Sequence, residues 1–249
     1  MDLVERQPTH APRHPWETAR AEAIRSLVAR FALSTPAVLD VGCGDGYLLA
    51  ELNTHFQLRE AVAQDVHLTP ELAVELARPG IEFVQGLEQL RGRRFDLVLL
   101  LDVLEHVRDP VALLTQLWRE HLAAGGWVLI TVPAFQLLFS EHDRALKHEK
   151  RYARLEIAAL AQQAGLRVHA SGYLFSSLLV PRVLGKLRER LVPPRSTPSA
   201  VGIGGWNGPP WLTRALHRLL CADNQLCLRA QQQGLVVPGL SAWISCSAP

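Results

Sequence analysis

A chain of 249 residues, 48% of them hydrophobic and 20% charged, can bury a sizeable core as one α/β domain with insertions, or at most as two small domains. Its 26 basic and 24 acidic residues leave a net charge of +2, too even a balance to recruit nucleic acid. No stretch approaches the roughly 18 apolar residues of a membrane span, and residues 1–15 are polar, without the apolar centre of a secretory signal, so they read as a flexible lead-in.

In chain order, Ala23, Ile24, Leu27, Val28 and Phe31 recur at helical spacing, which predicts an amphipathic helix over 16–31. Residues 37–41 are a short apolar, β-branched run ending in glycines, a buried strand. A helix follows over 47–56, a second strand over 61–66, a helix over 69–77 and a third strand over 81–84. Residues 95–101 are apolar almost throughout, as a strand covered on both faces should be. A helix over 110–122 is expected to end at Gly125-Gly126 before a strand over 127–132. Residues 154–164 form a helix closed by Gly165, and 167–173 a sixth strand.

Repeated strand-then-helix alternation implies right-handed crossovers and a doubly wound parallel sheet. The pattern then changes. Residues 174–192 are apolar with basic edges, 193–210 are rich in proline and glycine, 211–232 return to helix, and 236–246 read as a last strand interrupted by Pro238-Gly239. The division expected is a lead-in over 1–15, a core over 16–173, a helical insertion or cap over 174–232, and a final strand region over 233–249 that completes the sheet.

The first strand runs into Asp40-Val41-Gly42-Cys43-Gly44-Asp45-Gly46. A ligand edge approaches backbone only where side chains are absent, and glycine also supplies the tight turn. Asp65 closes the second strand 19 residues after Gly46, where a carboxylate can accept hydrogen bonds from both ribose hydroxyls. The third glycine is misplaced for a dinucleotide motif, and Asp40 and Asp45 put negative charge where phosphates would sit. A nucleoside carrying a sulfonium and an ammonium group suits these residues better, which points to S-adenosylmethionine (SAM).

With those residues in view, 38–46 resembles the first motif of class I SAM-dependent methyltransferases. The segment Leu100-Leu101-Asp102-Val103-Leu104-Glu105-His106-Val107-Arg108-Asp109-Pro110 resembles the stretch after the fourth strand in the subgroup that includes the ubiquinone-biosynthesis O-methyltransferases. The resemblance spans roughly residues 20–175. It implies a Rossmann-like sheet of seven strands, the last antiparallel, with the helical insertion between strands six and seven. It also implies that Asp40, Gly42, Cys43, Gly44, Asp65, Val66, Asp102 and Val103 surround the cofactor, with Asp65 on the ribose and Asp102 at the methionine end. Where the family commonly has an acidic residue facing the adenine amino group this chain has Leu87, so either Glu88 or a backbone group takes that part, or the adenine is held mainly by apolar contacts.

After the fifth strand, residues 133–152 concentrate polar side chains over the expected cofactor site. Ser140, His142, Asp143, His148, Arg151 and Tyr152 are similar to a serine-x-His-Asp then His-x-x-Arg-Tyr pattern in one bacterial methyltransferase branch. His142 is the candidate base or acceptor-orienting group, with Asp143 as its partner. His106, His148, Arg151 and Tyr152 are candidate acceptor contacts. The competing reading is a solvated lid, and the spacing of His142, Asp143 and His148 matches no familiar metal-ligand pattern, so no metal is expected.

Leu174, Phe175, Leu178, Leu179, Val183, Leu184, Leu187 and Leu191 form an apolar stripe beside Arg182, Lys186, Arg188 and Arg190. It can be buried against the domain, cap a hydrophobic acceptor, contact a membrane peripherally or form a homodimer. Leu212, Leu216, Leu219, Leu220 and Leu226 are expected to pack alongside. The four cysteines (Cys43, Cys221, Cys227, Cys246) form no Cys-x-x-Cys pair, consistent with reduced thiols and a cytoplasmic setting, with peripheral membrane contact allowed. The function expected is methyl transfer from SAM to a small-molecule or lipid-linked acceptor, at oxygen before nitrogen, with no nucleic-acid partner. A catalytically silent SAM-binding scaffold and an N-methyltransferase of similar fold are the alternatives.

Overall fold

The structure, a computed structural model, describes residues 13–191 and 206–249. The lead-in over 1–12 and most of the proline- and glycine-rich stretch (192–205) lie outside the described residues.

Seven strands form one sheet in the order β3-β2-β1-β4-β5-β7-β6. They are β1 (Ala37–Val41), β2 (Glu60–Gln64), β3 (Glu82–Val84), β4 (Phe95–Leu101), β5 (Leu122–Pro133), β6 (Arg167–Leu174) and β7 (Ser241–Ser247). The pairs β1–β2, β1–β4, β2–β3 and β4–β5 are parallel, whereas β7 runs antiparallel to both β5 and β6. The expected doubly wound sheet with an antiparallel last strand is what forms.

Alternation within the central strands builds both layers. Leu39, Val98 and Leu100 face the layer that holds α4 (Pro110–His121) and α6 (Arg154–Gln163), packing near Leu114, Leu117 and Ile157. Val38, Leu97 and Leu99 face the opposite layer. There α1 (Pro15–Val28), α2 (Tyr47–Phe56) and α8 (Pro210–Gln232) supply Ile24, Leu27, Leu49, Leu52, Leu220 and Leu228. A strand buried on both faces needs apolar residues at every position, which is how β1 and β4 read. The remaining helices are α3 (Pro70–Leu76), α5 (Glu141–Ala145) and α7 (Leu179–Leu191).

Several boundaries differ from the sequence expectation. The strand expected over 127–132 begins at Leu122, because Leu122 is buried and pairs with Phe95, so the chain extends as soon as α4 ends. Gly125-Gly126 thus lie within β5 rather than before it. The last strand starts at Ser241, not at residue 236. A Cβ on Gly239 would stand 2.1 Å from the Leu174 carbonyl oxygen, so the chain crosses the end of β6 there before it can pair.

The insertion is also corrected. Leu174 and Phe175 are core residues, but Val180, Val183, Leu184 and Leu187 of α7 are exposed. On α8, Leu219 and Leu226 are exposed, and the buried face is Leu220, Asn224, Cys227 and Leu228. No helix among the described residues is long and apolar enough to cross a membrane.

Candidate active site

The glycine turn leaves β1 and enters α2 with Gly42, Gly44 and Gly46 all at positive φ (68°, 57° and 70°). At Gly42 a side chain is excluded twice, by that conformation and because a Cβ would lie 2.6 Å from Val103 Cγ2. Val103 therefore seats directly on the turn. Asp65, buried beyond the end of β2, accepts from Gly44 N (3.1 Å) through Oδ2 and from His67 N (2.9 Å) through Oδ1. Its carboxylate is thus fixed by two backbone donors, with lone pairs left to accept further hydrogen bonds.

A cavity of about 1340 Å³ opens above the C-terminal ends of the parallel strands and continues beside α4 to Arg94, Arg119 and His121. Gly42, Asp65, Val66, Glu88, Asp102, Val103, His106, His142, His148 and Arg151 line it, so the expected cofactor and acceptor residues share one space. A narrow crevice on the other side of Gly42 is lined by Asp40, Cys43 and Asp45. Cys43 is buried and its thiol, pushed up by burial and by the carboxylates of Asp40 and Asp65, is inert. Glu88 folds back over Gly86, where a Cβ would lie 2.0 Å from its Oε1, which sets its carboxylate beside Leu87 at the cavity wall.

Two residues absent from the sequence reading join the cavity to the crevice, Trp16 and Arg20 of α1. Arg20 Nη2 pairs with Asp102 Oδ2 at 2.8 Å, and Thr131 Oγ1 donates to Asp102 Oδ1 at 3.0 Å. Asp102 is held at φ 60°, a conformation that non-glycine residues adopt mainly where surroundings compel it. The signal for Arg20 was present: it stands four residues before Ile24, a cation on the apolar stripe of its helix. Asp40, buried beneath this pair, has its carboxyl raised to about 7 by burial, with Arg20 opposing and Asp65 adding to the rise.

The loop after β5 is organised around Asp143, which is fully buried. Its Oδ2 accepts from Ser140 N and Ser140 Oγ (both 2.9 Å), and its Oδ1 bonds His148 Nδ1 (2.9 Å) and Arg151 Nε (2.7 Å). Burial alone would raise this carboxyl, but His148, Arg151 and Ser140 outweigh it and hold it well below the usual range. The expected pairing of Asp143 with His142 is therefore corrected: the carboxylate is committed to His148, and Asp143 does not line the cavity. His142 lines the cavity but stays exposed to solvent, and partial desolvation of the ring lowers its pKa. Tyr152, expected to meet an acceptor, is instead in the core, where its hydroxyl donates to Leu104 O at 3.2 Å.

Glu105, His106 and His148 form a further group, with one donor atom from each lying within 4.8 Å of the others. The His106 and His148 rings meet edge to face at 4.7 Å. Glu105 is fully buried, both its carboxylate oxygens lack a hydrogen-bond partner, and burial with the charge of Asp102 raises its pKa well above the usual value. The sequence reading had not singled Glu105 out. Its position before His106, in a motif already noted, was the available sign.

Comparison with known proteins decides what this architecture belongs to. The family described as "Methyltransferase domain" matches residues 16–171. The chain belongs to that family and is a SAM-dependent methyltransferase. A ubiquinone biosynthesis O-methyltransferase of Xylella fastidiosa (strain M23) is 32% identical to this methyltransferase over 186 residues, covering 64% of this chain and 72% of the relative. Among solved structures, a SAM-dependent methyltransferase from Archaeoglobus fulgidus aligns with TM-score 0.51 at 15% identity, covering 91% of this chain and 93% of the other. Coclaurine N-methyltransferase bound to N-methylheliamine and SAH aligns with TM-score 0.55 at 14% identity, covering 91% and 70%. At those identities the structural likeness shows the fold. The cofactor of this methyltransferase is SAM, which its glycine turn, Asp65 and the Asp102 segment suit.

Proposed function

We propose that this methyltransferase methylates an oxygen of a small acceptor with an apolar or lipid-like body. The observation that carries the reading is the single cavity running from the glycine turn to the His142, His148 and Arg151 rim. Asp65 takes the ribose, Glu88 and Leu87 border the adenine, and Arg20 and Asp102 meet the carboxylate and ammonium of the methionine end. When bound, SAM supplies an electrophilic methyl group on sulfonium. The residues at the rim then have to align a hydroxyl in line with that methyl and accept its proton. The C–O bond forms as the C–S bond breaks, leaving S-adenosylhomocysteine, and the hydroxyl proton passes to a histidine.

The Asp143–His148 pair favours His148 as that base. The carboxylate on Nδ1 fixes the ring and leaves Nε2 to accept, as a carboxylate does for a histidine base elsewhere. His142, whose pKa is lowered by partial desolvation, orients the acceptor from elsewhere on the rim. The curated O-methyltransferase relative supports oxygen as the methylated atom.

Next to the rim, Arg182 of α7 donates to Leu138 O (3.2 Å) and to Ser140 Oγ. The exposed apolar row of α7 is thereby tied to the acceptor loop, which supports an acceptor with a hydrophobic tail. The test uses methyl-labelled SAM with a panel of phenols, catechols and prenylated phenols. His148→Ala should lower turnover by about 10²-fold or more with SAM affinity unchanged. A methylated amine as sole product, or no product from any hydroxyl acceptor, would overturn the reading.

A second reading is favoured by the unpartnered Glu105 carboxylate. With His106 and His148 it could hold a divalent cation that binds the acceptor hydroxyl and lowers its pKa. Chelation that abolishes turnover, restored by added Mg²⁺ or Mn²⁺, would select it over the histidine base.

A further inference from the structure

Away from the cavity, α1 and α8 lie along each other in one layer of the fold. In that joint Glu22 of α1 faces His217 and Cys221 of α8, which stand four residues apart and so share one side of their helix. Cys221 Sγ lies 3.5 Å from His217 Nε2 and 3.4 Å from Glu22 Oε2, and His217 Nε2 lies 3.7 Å from the same Glu22 oxygen. Tetrahedral zinc, with bonds of about 2.0–2.3 Å to nitrogen, oxygen and sulfur, needs donor separations of roughly 3.3–3.6 Å. Two edges of the triangle, 3.4 and 3.5 Å, fall in that range, and the His217–Glu22 edge of 3.7 Å has only to shorten slightly.

The outer hydrogen bonds agree. Thr18 Oγ1 donates its proton to Pro15 O at 3.1 Å and lies 2.9 Å from His217 Nδ1. With its proton on Pro15 O that hydroxyl has only lone pairs left for Nδ1, the tautomer in which Nε2 is bare and faces the sulfur and the carboxylate. Without a cation the one thiol proton has to serve both Nε2 and the Glu22 oxygen, two acceptors facing each other. A metal ion resolves that deficit. Its binding sends the thiol proton to solvent and leaves one position of the tetrahedron for water. All three residues are partly exposed, so an ion can enter from solvent.

We propose that Glu22, His217 and Cys221 bind a thiophilic divalent cation, zinc foremost, that clamps α8 onto α1. The same α1 carries Trp16 and Arg20 to the SAM cavity, so the clamp steadies one wall of the cofactor site from outside it.

The test titrates the metal-stripped full chain with Co²⁺ and follows thiolate-to-cobalt charge-transfer absorption in the near ultraviolet. One equivalent should develop the band, Zn²⁺ should bleach it, and Zn²⁺ should raise the thermal midpoint. The Glu105, His106 and His148 group has no sulfur, so it cannot produce this signal. Cys221→Ser and His217→Ala should each lose the band, while His106→Ala keeps it. A folded wild-type chain with no such band, or a band that survives Cys221→Ser, overturns the proposal. If Cys221→Ser does not fold, alkylation of the wild-type chain read by mass spectrometry decides. Zn²⁺ should protect Cys221 selectively, and unchanged Cys221 reactivity refutes the site.

Discussion

Asp65 shows how one side chain can serve both the turn and the ligand. Its carboxylate holds the amides of Gly44 and His67, so Asp65→Ala removes the side-chain acceptors of two backbone donors together with the proposed ribose contact. SAM affinity should fall by about 10²-fold or more by calorimetry, since hydrogen bonds to a charged group are worth roughly 1.5–3 kcal/mol each. His142→Ala, at the far rim, should lower turnover and leave that affinity within about twofold. Asp40 adds a pH dependence. Burial pushes its carboxyl up to about 7 in the fold, from an ordinary value of 3.8. A group raised in this way stabilises the apo fold fully below its unfolded pKa and loses that contribution as pH climbs through the folded one. Stability of the apo protein should therefore decline from about pH 4 to about pH 7, measured by urea unfolding. The ammonium of SAM favours the ionised carboxylate, so affinity should rise across about pH 6 to about pH 8. Asp40→Asn should flatten both slopes. Residues of this kind were legible because a glycine turn and the next strand end are local in sequence. Arg20 and Glu105 were not, since their roles depend on which distant elements close over them.

Among the elements, β1 and β4 were readable to the residue, being apolar runs with clear boundaries, whereas β5 starts five residues before the expected 127. The helices of the insertion were harder. The buried side of α8 reads Leu220, Asn224, Cys227 and Leu228, mixing polar and apolar types, so its leucines alone suggested a different face. Asn224 explains why a polar residue is buried there: its Oδ1 accepts from Phe175 N at 2.9 Å, where the chain turns at φ 61° after β6. Asn224→Ala should cost about 1–3 kcal/mol in urea unfolding by leaving that amide buried and unpaired. α5 was missed as well, although Ser140 and Asp143 stand at the spacing of a helix-capping pair. Asp143 reads in the sequence as a partner for His142, and only the fold shows that it faces inward to His148 and Arg151.

At the scale of the whole molecule, polar chemistry collects at one end of the sheet, and α7 adds exposed apolar surface near that end. Leu184 is 60% exposed and Leu187 49%, on a helix tied to the acceptor loop through Arg182. With the proposed amphiphilic acceptor, Leu184→Glu combined with Leu187→Glu should raise KM several-fold for a long-chain acceptor. The same pair should leave kcat/KM for a tail-less analogue unchanged. Equal effects on both acceptors would place the apolar row outside substrate recognition.

The position of β7 has a consequence for how the protein comes into being. It is the last strand in the sequence yet sits between β5 and β6, hydrogen-bonded to both. A nascent chain that has delivered everything through β6 still carries an open edge on β5 and a strand with nowhere to dock. Both sides stay unzipped until residues 241–247 leave the ribosome, so the sheet closes in one late, long-range event. Until then the exposed border of β5 is the point at which a chaperone, or another unfinished copy, can engage.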